Sequence, residues 1–291
     1  MRNKIIFSLC LCLSIFILVK YANGEVKGND EREENIKKFL RDYLEIELND
    51  KSKIQFYDAL PDKSIFGPKA NFRVFINDKI TLVINQNGSE VYSFVNANEK
   101  KITEETKSIT TVEAFNKIKK LLKLYKLPED MSKYSITTEN EYYFIRSANI
   151  EIENISCRGS GFSCNLSKQN GSICQFSYKP AYLPINKKPP RYKWNREELE
   201  TIKEQLSSQD YFKHHTFTII EKEPTLVIAP NYNIFSAHQE QEFMKKVEYF
   251  YVWEIEIRIT ERAGDSDGLI WIDPVTKKII GAGTKQLYWL N

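Results

Sequence analysis

The stretch VEYFYVWEIEIRI, residues 247–259, alternates without a break. Val247, Tyr249, Tyr251, Trp253, Ile255, Ile257 and Ile259 fall on one side; Glu248, Glu254, Glu256 and Arg258 fall mostly on the other. Side chains of a strand point to opposite faces in turn, so this period of two predicts a long antiparallel strand with one buried face and one wet face. RAGDSDG (262–268) reads as the next turn, followed by LIWID (269–273), a second turn PVTKK (274–278) and IIGAG (279–283). Such a meander needs a second layer over its apolar face. KWNREELETIKEQL (193–206) supplies one: Asn195-x-x-Glu198 is a helix cap, and Leu199, Ile202 and Leu206 form a helical stripe.

The closing hairpin of this block is written twice. TLVINQNGSEVYS (81–93) aligns without a gap on LIWIDPVTKKIIG (269–281). Ile84-Asn85 falls on Ile272-Asp273, and Val91-Tyr92 on Ile279-Ile280. Asn87-Gly88 sits where a hairpin turn needs positive φ. Asn and Asp share a short side chain that bonds turn backbone, whereas an acid–base role at Asp273 could not pass to Asn85. Both positions are therefore read as structural turn-formers.

Helix-then-strands order recurs along the chain. Residues 31–48 place Ile36, Phe39, Leu40, Tyr43 and Leu44 on one helical face, with Asp30 as cap, and strands are expected at 53–57, 71–77, 79–85 and 90–96. Thr110-x-x-Glu113 is a capping box for a helix carrying Phe115, Ile118, Leu121, Leu122 and Tyr125, ended by Pro128. Strands follow at 134–138, 142–147 and 150–155, then an irregular cysteine hairpin turning at Asn170-Gly171. Pro180 to Pro190 reads as an extended connector, with strands at 217–221 and 225–229 beyond the third helix. Ser236–Lys246 fits a short helix or a loop. The class is α+β: tandem units of one helix packed on a curled antiparallel sheet. Residues 1–24 form a leader, 25–105 the first unit, 106–190 a degenerate unit with the cysteine hairpin and connector, and 191–291 the last unit.

The strand YVWEIEIRI followed by the hairpin IWIDPVTKKIIG is similar to the PepSY domain and its repeated relatives in exported bacterial proteins. That family's last hairpin reads apolar-x-apolar-Asp-x-x-Thr-Gly-x-apolar, and Ile270, Ile272, Asp273, Thr276 and Ile279 match it. Lys277 stands where the family has glycine. In the early copy Asn85 replaces the aspartate and Gly88 keeps a glycine in the turn. The resemblance spans about Trp194 to Thr284, with a looser match over Glu31 to Val95. It implies a non-enzymatic module of secreted or cell-envelope proteins, associated with control of peptidases. It carries over no catalytic or ligand residue.

Composition narrows the function further. Arg2 and Lys4 precede the apolar run Ile5 to Val19, and Ala22 and Gly24 are the small residues before a cut at Glu25. That is a signal-peptide pattern, too short to span a bilayer. The leader holds three of the 42 basic residues and no acid, leaving 39 bases against 39 acids in the rest. A neutral balance argues against nucleic acid as a general partner. No later segment is long and apolar enough for a membrane span.

Cys157, Cys164 and Cys174 lie close together in a chain expected to be exported, which predicts one disulfide and a spare thiol, the pairing left open. Their spacing fits no zinc site. Asp265-Ser266-Asp267-Gly268 lacks the remaining ligands of a calcium loop and reads as a turn. Ser160 sits between two glycines but not in the Gly-x-Ser-x-Gly frame. His214, His215 and His238 lack metal-site spacing. Asn87, Asn154, Asn165 and Asn170 each open Asn-x-Ser, which matters only in a glycosylating host. No cofactor is expected. The expectation is a secreted, periplasmic or cell-envelope protein that binds and regulates another protein, a peptidase among the candidates, through a sheet face or edge. The alternative is a secreted enzyme whose cleft lies between units and leaves no linear motif.

Overall fold

A computed structural model describes residues 30–59, 65–97, 108–186, 196–213, 215–220, 223–231, 248–261 and 264–284. The leader, the cap at Asn195, the ambiguous segment 236–246, His214 and His238 lie outside these residues. The fold is α+β, with antiparallel strand pairing throughout both main sheets.

Helix α1 spans Asp30–Leu44 and is followed by β1 (Ile54–Asp58), β2 (Phe72–Ile76), β3 (Ile80–Ile84) and β4 (Val91–Asn96). Helix α2 spans Thr111–Leu124. Its predicted capping box forms: Thr110 Oγ1 accepts the Glu113 N–H at 3.2 Å, and the Glu113 carboxylate accepts the Thr110 N–H at 2.7 Å. Strands β5 (Tyr134–Glu139), β6 (Tyr142–Ser147), the two-residue pair β7 (Glu151–Ile152) and β8 (Ile155–Ser156), β9 (Gly161–Ser167) and β10 (Ile173–Lys179) come next. The cysteine hairpin is thus the regular pair β9–β10, turning at Asn170-Gly171 as read from sequence.

These strands form one eight-stranded sheet in the order β1-β2-β3-β4-β10-β9-β6-β5. It joins strands from both sides of the expected unit boundary, because β10 pairs directly with β4. Both helices lie on one face. Ile36, Phe39 and Leu40 of α1 and Phe115, Ile118 and Leu121 of α2 are buried on Leu82, Phe94, Ile145 and Phe176. Phe94, Phe176 and Phe162 stack at centroid distances of 5.8 and 6.3 Å across the β4–β10–β9 seam. These stacked rings weld the two halves of the sheet.

The second sheet belongs to helix α3 (Arg196–Ser207), with β11 (Thr216–Ile219), β12 (Thr225–Pro230), β13 (Tyr249–Glu261), β14 (Gly264–Ile272) and β15 (Ile279–Thr284). β13 is the predicted long strand and acts as the hub. β11 and β12 both pair along one flank of it, and β14 and β15 continue from the other. Ile202 and Leu206 of α3 are buried against Ile255, Ile257, Ile259, Ile270 and Ile272. Two expectations need correction here. Asp265 to Gly268 form no turn: they pair with Thr260 to Ile257 inside β14, because β13 is long enough to template the extension and sets Arg258 opposite Asp267. The second face of β13 is not wet throughout either: Glu254 is only 6% exposed, and Val252 and Trp271 beside it are fully buried.

Candidate functional site

The two copies of the hairpin phrase fold alike. Asn85 N–H donates to Glu90 C=O at 3.0 Å, and Asp273 N–H to Lys278 C=O at 2.9 Å, the same five-residue reach. A bulge falls between Val83 and Ile84 in one copy and between Trp271 and Ile272 in the other, the same aligned step. Asn85 Oδ1 accepts the Glu90 N–H at 3.1 Å. Asp273 Oδ1 accepts the N–H groups of Val275 and Thr276 at 2.8 and 2.7 Å. Each side chain is engaged in closing its own turn.

Each unit's helix also grips its hairpin. Arg32 Nε and Asn35 Nδ2 donate to the carbonyls of Gln86 and Asn87 at 3.1 and 2.9 Å. Gln205 donates to Lys277 C=O at 2.9 Å and accepts the Ile279 N–H at 3.1 Å. The turns differ by one position in their left-handed residue, Gly88 at φ 75° and Lys277 at φ 60°. Lys277 therefore holds a conformation that glycine adopts at lower cost.

No disulfide joins the described cysteines Cys157, Cys164 and Cys174, where a disulfide and a spare thiol were expected. Cys164 faces the core of the large sheet, while Cys157 packs with Ile155, Ile228, Tyr249 and Tyr251 in a separate cluster. Burial pushes both thiols up from their ordinary range, and Cys174 adds to the shift at Cys164. Ser160 is 2% exposed, and its hydroxyl donates to Cys157 C=O at 2.6 Å and accepts the Ile150 N–H at 2.9 Å. It fastens a loop.

That loop brings the two sheets together. Arg158 reaches Glu254 with two bonds, of 2.8 and 2.5 Å, and Trp271 Nε1 donates to the same carboxylate at 3.1 Å. Arg158 N–H also donates to Ile228 C=O at 2.7 Å, so the Cys157 segment bridges the outer edge of β12 in parallel. The connector contributes as well. Ile185 N–H donates to Tyr249 C=O at 2.9 Å, and the Asn186 amide takes both backbone groups of Tyr251 at 3.0 and 2.7 Å. Tyr182 OH donates to Phe66 C=O at 2.9 Å while its ring lies 5.0 Å from Tyr249. Sequence gave no warning of the Arg158–Glu254 pair: the partners stand 96 residues apart, and Glu254 looks like one more wet-face acid.

Two grooves open beside described elements. One of about 240 Å³ lies near Tyr43, Asn96 and Gly171. The larger, about 600 Å³, runs between α3 and β11 and is floored by Leu199, Phe212, Phe217 and Ile219. His215 stands at its rim, its ring stacked on Tyr211 at 4.4 Å. Its Nδ1 lies 2.8 Å from Tyr211 C=O, which can only accept, so Nδ1 is the donor of that contact. In the sequence, Tyr211 four residues earlier is the local cue to this packing.

No protein-family model matches the chain, and no curated protein matches it. Among solved structures it is similar to the Bacillus megaterium YpeB C-terminal domain, at 15% sequence identity and a TM-score of 0.38, over 90% of this chain and 99% of that one.

Proposed function

We propose that this chain is an exported, non-catalytic module of PepSY-like units that binds and regulates another protein, a peptidase or a cell-envelope protein. The observation that carries the reading is the repeated closing hairpin. Its recurring polar residues, Asn85 and Asp273, are engaged by turn backbone at matching positions. What repeats is scaffold, and the capacity to act lies on what the sheets leave open. An α+β layer with a grooved, partly unpaired sheet margin suits recognition of another polypeptide.

The test is to immobilise residues 25–291 and expose them to the envelope and supernatant fractions of the source cells, then assay any retained peptidase with and without the chain. A retained protein partner whose activity falls on binding is the expected result. Retention of a small molecule or metal with no protein partner overturns the proposal.

A further inference from the structure

The second sheet closes its open ladder positions with pieces of extended chain. Asn231 N–H donates to Glu248 C=O at 2.9 Å, which sets the alternation of β12: residues 229 and 227 face β13, and 228 faces outward. The outward carbonyl of Ile228 is the one taken by Arg158 N–H. The end of β13 beyond the reach of β14 is closed in the same manner by Ile185 and Asn186.

β11 lies on the same flank of β13 as β12, and the same logic applies to it. Ile220 N–H donates to Glu256 C=O at 2.9 Å, so Thr218 and Thr216 face β13 while Phe217 and Ile219 turn their N–H and C=O groups outward. Among the described residues these outward groups have no backbone partner. β11 carries no charge and no proline, the usual guards of a strand edge. Other margins carry them: Asp58 ends β1, Glu139 ends β5, and Lys277 and Lys278 precede β15. Beside this edge runs the α3–β11 groove.

We infer that the β11 edge is a strand-addition site: an extended segment of a partner protein pairs with Phe217 and Ile219 and sets alternate large apolar side chains into the groove against Leu199 and Phe212. The sheet already takes added chain in this way at β12, a few residues along the same flank. Backbone pairing supplies the binding, and the groove selects the side chains. This inference rests on the protein-binding proposal and names the contact surface for it.

The probe is the peptide Ac-Lys-Thr-Val-Thr-Leu-Thr-Lys-NH2, titrated into isotope-labelled residues 25–291 and followed by amide NMR. The expected result is slowed exchange at Phe217 and Ile219 with shifts along α3. N-methylating alternate backbone amides of the peptide should weaken binding by about tenfold, since the pairing bonds are lost. Ser207→Trp, an exposed rim position, should weaken it comparably by filling the groove, with the melting temperature unchanged. Unaltered exchange at Phe217 and Ile219 under excess peptide overturns the inference. So does equal binding of the N-methylated peptide, protection of another edge instead, or self-association of the chain through β11. If wild type and Ser207→Trp capture the same partner equally from the envelope fraction, this edge is not the contact and the broader proposal stands. If no protein partner is captured, the broader proposal fails, and the peptide titration still decides the edge.

Discussion

Removing Arg158 would leave the Glu254 carboxylate buried with, among the described residues, only Trp271 Nε1 to solvate it. Stranding one partner of a buried ion pair costs about 3 kcal/mol or more, far beyond what an exposed pair is worth. Arg158→Ala should lower the unfolding free energy by that order in urea titrations, whereas Lys203→Ala, which loses an exposed pair with Glu200, should change it little. Lys179 offers a test with a pH signature. Burial pulls its ammonium down to about 8 from 10.5. Between those values the unfolded chain holds the proton more tightly than the folded one, so stability rises with pH across that window. Below pH 8 the folded protein carries the whole penalty. Lys179→Met should stabilise it there by about 2 kcal/mol, less than the full shift implies because part of the lysine keeps contact with water. The gain should fade above pH 10.5, and denaturation curves at pH 7 and pH 10.5 check both points. Neither residue stands out in the sequence. Glu254 sits in an alternating strand and Lys179 at the end of another, and what surrounds them comes from distant parts of the chain.

The helix–hairpin grip is the unit of local stability. Gln205→Ala loses both bonds to the closing turn and leaves the Ile279 N–H without its partner. A cost of about 1–2 kcal/mol is expected, with faster exchange at Ile279 read by hydrogen–deuterium exchange. In the early copy, Gly88→Ala puts a Cβ 3.0 Å from Arg32 C=O at a φ of 75°. That substitution should cost about 1–2 kcal/mol in thermal or urea unfolding. Elements of this kind were largely legible. Periodicity placed the helices, alternation placed β13, and Thr110-x-x-Glu113 marked the start of α2, because those patterns are set by neighbours a few residues away. DSDG was misread as a turn because Asp and Gly favour turns locally, and only pairing with β13 makes them a strand.

Tyr182 is the wedge between the two sheets. A Cβ at Gly67 would fall 2.2 Å from its ring. Gly67→Ala should therefore expel Tyr182 from its slot beside Tyr249 and loosen the junction. Exchange at the Ile185 and Tyr251 amides should speed up by about tenfold, while Leu82 in the core of the large sheet keeps its protection. Sequence alone determined the α+β class and the repeated hairpin, since each follows from local periodicity and turn chemistry. Only the tertiary structure decided that the strands of the first two blocks share one sheet, that the connector and the Cys157 segment are bound into the second, and that the outward backbone groups of β11 have no backbone partner among the described residues. Those outcomes depend on which strands meet across the chain, and that is set by burial and by the matching of distant backbone groups.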